Sequence, residues 1–159
     1  MKRLVTILTI ALSLFAVSET HAQNKQVTNY GQAVGVRVGL APGVTYRKFL
    51  SDKNAFEVIG SARVYTFGQS YFGVTGLYQW VLPFPVEQMN WYFGVGADLG
   101  IYSDNSGSAV SVGVDGIIGA DYTLADYPFT FSVDFIPSFA LINGGFYGGN
   151  VGLSARYIF

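Results

Sequence analysis

The chain of 159 residues contains no cysteine, and its one histidine is His21. Without cysteine there is neither a disulfide staple nor thiol chemistry, so the fold must be held by hydrogen bonding and packing. Beyond residue 21 there is no imidazole, which removes the Ser-His-acid and Asp-His mechanisms that move a proton near neutral pH. Charge is sparse too: 12% of residues are charged and the formal net charge is -1, which argues against a nucleic-acid partner held by phosphate attraction. Half of the chain is hydrophobic, yet no uninterrupted apolar run after residue 22 reaches the roughly 20 residues that a membrane-spanning helix needs.

Metal and phosphate signatures are also thin. Asp104-Asn105-Ser106-Gly107-Ser108 has the flavour of a calcium loop but one carboxylate, where a hard cation takes several oxygen ligands; it reads as a polar hairpin loop. Gly144-Gly145-Phe146-Tyr147-Gly148-Gly149 lacks the lysine and the following helix of a phosphate cradle, and reads as a mobile aromatic loop. Asp115 and Asp121 could do acid-base work, but pairing with arginine is the commoner use of such carboxylates. No catalytic residue, metal ligand or cofactor is expected.

What the chain does have begins with an export signal. Lys2 and Arg3 precede the apolar run Leu4 to Val17, and Thr20-His21-Ala22 offers a cleavage site before Gln23, the three parts of a secretory signal peptide. Residues 1–22 are therefore set aside, 23–32 read as a short polar leader, and 33–159 form one domain of ordinary size.

The closing segment sets the pattern for the rest. Val151, Leu153, Ala155, Tyr157 and Phe159 alternate with Gly152, Ser154, Arg156 and Ile158, the period of two of a pleated strand with one apolar face. Eight such segments are predicted: Ala33 to Leu40, Gly43 to Leu50, Ala55 to Phe67, Tyr71 to Leu82, Trp91 to Tyr102, Val110 to Leu124, Phe129 to Leu141 and Asn150 to Phe159. Turn chemistry separates them, as at Pro42-Gly43, Ser51 to Asn54, Gly68 to Ser70, Pro83 to Asn90, Ser103 to Ser108, Ala125 to Pro128 and Asn143 to Gly149. Most match the roughly 9 to 11 residues with which a tilted strand crosses a bilayer.

The charges decide which face is which. Arg37, Arg47, Arg63 and Arg156 all lie opposite the apolar face of their strands, and Glu57, Asp98, Asp115, Asp121 and Asp134 share that side. Lys48 is the exception, near a turn. A soluble barrel would put these charges outside. Charges inside and apolar residues outside make an inside-out protein, and hydrocarbon tolerates a sheet only when closure leaves no unpaired edge. The expected fold is an all-β, eight-stranded antiparallel up-and-down transmembrane barrel, its lumen filled by a network of these nine charged residues, since isolated buried charges are costly. Gly35, Gly39, Gly94, Gly96, Gly100, Gly113, Gly119 and Gly152 share the inward parity and would make room for long side chains. Tyr78, Trp80, Trp91, Phe93, Tyr122 and Phe129, with Tyr157 and Phe159, face outward near one set of strand ends, where an interfacial aromatic girdle belongs.

Val34 to Gly39, Gly43 to Arg47, Trp91 to Gly96, Asp134 to Phe139 and Arg156 to Phe159 together resemble small outer-membrane β-barrels of the OmpA/OmpX type, and most closely the outer-membrane β-barrel domain family found widely in Bacteroidota. The resemblance implies a location in the bacterial outer membrane, contact with its lipid and lipopolysaccharide, and insertion by the barrel-assembly machinery, for which Tyr157 and Phe159 would carry the terminal signal. Two features depart from the type. Pro83 to Asn90 is long for a turn and Pro42-Gly43 is tiny for a loop, which weighs against adhesion through protruding loops, and Pro137 lies inside a strand where it cannot donate to the ladder, so a bulge or the outer rim is expected there. The function that follows is a non-enzymatic barrel with a structural or surface-interaction role. The alternative is a narrow porin-like channel for small solutes, and a soluble ligand-binding barrel would require the charge parity to be reversed.

Overall fold

The computed structural model describes residues 30–64, 70–104, 107–142 and 145–159. The signal peptide, most of the leader and the tips of three hairpins lie outside the described residues. Eight strands follow one another along the chain: β1 (Gln32–Gly39), β2 (Gly43–Ser51), β3 (Asn54–Val64), β4 (Ser70–Pro83), β5 (Met89–Asp104), β6 (Gly107–Thr123), β7 (Phe129–Ile142) and β8 (Phe146–Ile158). Each pairs antiparallel with its sequence neighbours, and β1 pairs with β8 to close the barrel. Closure runs from Ala33 opposite Ile158 to Gly39 opposite Gly152, so no strand presents an unpaired edge to its surroundings.

Alternation along the strands fixes the two surfaces. Val34, Val36 and Val38 face out on β1 while Ala33 and Arg37 are buried, and Val151, Leu153 and Tyr157 face out on β8 while Ser154 and Arg156 are buried. The exterior is aliphatic and aromatic: Val36 is 58% exposed and Val44 61%, whereas Arg47 and Arg156 are 0%. This is the inside-out arrangement that the charge parity predicts.

Strand lengths rise from 8 residues in β1 to 17 in β6, so one rim of the barrel is low at the β1–β2 turn and tall at the β5–β6 hairpin. The first and last described residues, Tyr30 and Phe159, belong to the opposite rim, with the turns after β2, β4 and β6. Three expectations need correction. β5 and β6 continue through Ser103 and Ser108, which pair with each other, so the turn expected there shrinks to the hairpin tip. β8 begins at Phe146, which places Phe146 to Gly149 in a strand where a mobile loop was expected. The polar leader is shorter than expected as well: Gln32 opens β1 and Tyr30 is buried.

The β7–β8 ladder shows why the start of β8 is hard to read. Ile136 pairs with Asn150 and Ser138 with Tyr147, so two steps on β7 face three on β8. Pro137 has no N–H for the ladder, and the additional residue falls in the Gly148-Gly149 pair opposite it. Gly149 adopts a φ of 112°, a conformation open chiefly to glycine. The bulge expected at Pro137 is present, with its extra residue on the partner strand.

Candidate functional site: the lumen and its rim

The lumen is layered from the rim that holds the chain ends. Tyr30, Ala33, Phe49, Ala55 and Val81 are buried together there, and the Tyr30 and Phe49 rings meet edge to face at 5.0 Å. Burial raises the Tyr30 phenol above its ordinary range. An apolar layer thus lies beneath the charged one.

Three ion pairs occupy the next level. Arg156 Nη2 lies 2.5 Å from Glu57 Oε1, Arg47 Nη1 lies 2.8 Å from Asp121 Oδ2, and Arg37 Nη2 lies 2.6 Å from Asp134 Oδ1. All six side chains are almost entirely shielded, which makes each pair stronger electrostatically and each lone partner costlier than in water. The pairs span the barrel to different extents. Arg47 on β2 reaches the diametrically opposite strand β6, Arg156 on β8 reaches β3, and Arg37 on β1 reaches over β8 to β7.

Neutral groups add further hydrogen bonds, although Arg47 Nε and Nη2 and Gln79 Oε1 have no hydrogen-bond partner among the described residues. Arg156 Nη1 donates to Ser132 Oγ at 2.8 Å and its Nε to Thr45 Oγ1 at 3.3 Å. Glu57 also accepts from Gln79 Nε2 at 2.7 Å and from the Thr45 hydroxyl. Asp121 accepts from Asn90 Nδ2 at 3.0 Å, and Asp134 from the Tyr92 hydroxyl at 3.1 Å. The Arg47 guanidinium sits 4.5 Å from the Tyr92 ring centre, an added cation-π contact. Carboxylates and guanidinium groups held by several charge-assisted bonds are the arrangement that buried charge requires.

Glycine positions give these side chains their space. A Cβ added at Gly152 would collide with the Arg37 guanidinium, and one at Gly119 with the Tyr92 ring and Asp134. The inward glycines therefore act by leaving volume in a narrow barrel whose interior is otherwise filled by side chains.

Of the nine charged residues expected in the lumen, six form these pairs and three lie nearer the tall rim. Arg63 and Asp98 are half-buried and border a cavity of about 250 Å³ that Tyr71, Tyr102, Ser111, Ser138 and Asn150 also line. Asp115 is buried opposite Ser138 in the β6–β7 register and beside Asp98.

The expected girdle residues fall outward at the rim that holds the chain ends. Trp80 stacks on Phe93 at 5.5 Å, Tyr78 meets Trp80 at 5.1 Å, Trp91 meets Phe93 at 5.6 Å, and Phe129 meets Tyr157 at 5.5 Å. Tyr122 and Phe159 are exposed at the same end. Thr45, Gln79, Asn90, Tyr92, Ser132 and Tyr30 are lumen residues that charge parity does not single out. Strand parity could have placed all but Tyr30, which precedes β1; Tyr92, set between Trp91 and Phe93, resembles a girdle residue in composition and an interior one only by position.

No protein-family model and no curated protein matches the chain. Among solved structures, the N-terminal β-barrel domain of Pseudomonas aeruginosa OprF aligns over 84% of this chain and 100% of its own, at 13% identity and a TM-score of 0.63. The attachment invasion locus protein Ail of Yersinia pestis aligns over 81% of this chain and 94% of its own, at 14% identity and a TM-score of 0.49. The likeness to the OprF domain is one of fold, and with the closed ladder and inverted surfaces it makes this chain a small eight-stranded barrel of the outer-membrane type.

Proposed function

We propose that the chain is a non-enzymatic integral protein of the bacterial outer membrane, with a structural or surface-interaction role and a lumen closed to solutes. The observation that carries this reading is the Arg47–Asp121 pair, which joins opposite walls of the barrel at 2.8 Å above a buried apolar layer. A solute would have to break that pair and leave two charges bare, which costs several kcal/mol. The exterior supports the location, because soluble monomers rarely expose apolar patches beyond a few hundred Å², and here every strand turns its apolar side out. Lipid and lipopolysaccharide are the natural contacts of that surface, with the barrel-assembly machinery reading Tyr157 and Phe159 during insertion after signal-peptide cleavage.

A narrow porin-like channel is the second reading, favoured by the inward glycines and by the cavity at the tall rim. Planar-bilayer recording of the refolded protein separates the two. Wild type is expected to give no unitary currents; steady currents would overturn the closed lumen and establish the channel.

A further inference from the structure

Among the described side chains, Lys48 is the one charge that a strand turns outward. It shares the outer face of β2 with Val44, Tyr46 and Leu50, while Thr45, Arg47 and Phe49 point into the lumen. It forms no hydrogen bond or ion pair with the described residues. Lys48 stands three residues before the end of β2, as Trp80 stands three before the end of β4, which puts it at the depth of the aromatic girdle. The lysine stem can lie along the apolar wall while the ammonium reaches the interface. There it meets the layer of lipid headgroups, whose phosphates carry the opposite charge.

Two neighbours add donors to this charge. Gln32 is directly opposite Lys48 in the β1–β2 register, which sets their Cβ atoms about 5 Å apart. The Tyr46 hydroxyl donates to Gln32 Oε1 at 2.5 Å, so the amide oxygen is engaged and its N–H donors remain, with no acceptor among the described residues. An ammonium and an amide N–H side by side present donors alone, the complement of phosphate oxygens. The Asp52-Lys53 turn below adds one charge of each sign, so the local balance stays with Lys48. The wall above fits the rest of a lipid. Val44, Gly60, Val74 and Leu99 stand in one register row across β2 to β5, and with Ala62 and Phe72 they line an apolar groove of about 500 Å³ on the outer surface. Val44 is four residues from Lys48, about 14 Å along the strand and about 10 Å in depth at a tilt of roughly 35–45°. That depth lies within the roughly 15 Å that one leaflet's chains fill, half of the hydrocarbon core. A phosphate at Lys48 therefore brings the ends of its acyl chains to the near edge of the groove.

We infer that the outer wall at β1 to β3 holds one anionic phospholipid, its phosphate against the Lys48 ammonium and the Gln32 amide, its chains running along β2 and β3 to the groove at Val44 and Gly60. Tyr46 is a positioning residue, acting through its bond to Gln32. The site rests on the reading of this face as the lipid-facing one. The test is a chemical-shift titration of the full chain, refolded in dodecyl maltoside micelles that contain no phosphate, with didecanoyl phosphatidylglycerol. Didecanoylglycerol, with the same chains and no phosphate, and glycerol phosphate, with the phosphate and no chains, are the controls, and sodium chloride holds ionic strength constant.

Saturable shifts around residues 32, 46, 48 and 60 are expected with the phospholipid and with neither control. Lys48→Gln, at an exposed position, should weaken binding about tenfold, the usual worth of a charge-assisted bond, and Lys48→Arg should retain it. Heat-dependent gel mobility checks that both variants fold. In a barrel that passes this check, absence of saturation, equal binding by Lys48→Gln, or an equal response to the phosphate-free diacylglycerol or to glycerol phosphate would each overturn the proposal and leave the membrane barrel standing. A wild-type chain without heat-dependent mobility would overturn both.

Discussion

Arg156 enters the lumen from β8 and meets partners from three other strands: Glu57 on β3, Thr45 on β2 and Ser132 on β7. Because each guanidinium nitrogen is occupied, removing the side chain leaves Glu57 as a buried carboxylate with only its neutral donors. Arg156→Ala should therefore cost about 3 to 5 kcal/mol, read as a lowered urea midpoint for unfolding in lipid vesicles. Glu57→Ala should cost a comparable amount. The double variant should cost clearly less than the sum, since the second change removes the charge that the first left bare; additive losses would show that the two residues act independently. The charged members of this layer were legible in the sequence because a charge on a strand face marks that face. Their pairing was not, since it depends on how the strands stagger around the barrel: Arg47 lies directly opposite Glu57 in the β2–β3 register yet its ion partner is Asp121, on the far wall. Thr45, Gln79, Asn90 and Ser132 carry no charge to mark their face, and only the parity of their strands separates them from solvated polar residues.

At the scale of the element, alternation located all eight strands, and it failed where glycine interrupts it. The run Gly144 to Gly149 has the composition of a loop, and its second half belongs to β8 because a bulge opposite Pro137 absorbs the additional residue. The two glycines there are not equivalent. Gly149 holds a φ of 112° and a Cβ on it would run into the Phe135 ring, whereas nothing lies within contact distance of a Cβ on Gly148. Gly149→Ala is expected to destabilise the barrel by about 1 to 3 kcal/mol through backbone strain, and Gly148→Ala by a few tenths at most. Urea unfolding of the two variants in the same vesicles checks this, and equal effects would mean that the bulge is not fixed by Gly149. The lower rim was read with less difficulty because its turns carry unambiguous residues, Asp52-Lys53 after β2 and Asp126 to Pro128 after β6.

For the whole molecule, closure and inversion are linked. The β1–β8 ladder satisfies the last two edges, and Phe159 N–H still donates to the Gln32 carbonyl at 3.0 Å, so backbone polarity is contained within the wall as hydrocarbon demands. A sheet of this kind opens only by losing a whole strand interface together with the ion pairs that cross the lumen. Unfolding should accordingly be slow and resist dodecyl sulfate at room temperature, because kinetic stability follows interactions that must all break together. Outer-membrane fractions loaded on a denaturing gel without boiling should give a compact, faster-migrating band that shifts to the position expected for the unfolded chain after heating. Arg156→Ala should lower the temperature at which that shift occurs, since it weakens the lumen without altering the ladder. A chain recovered in the soluble fraction, with one mobility at every temperature, would reverse the assignment of the two surfaces: the exposed valines and phenylalanines would then need a protein partner in place of lipid.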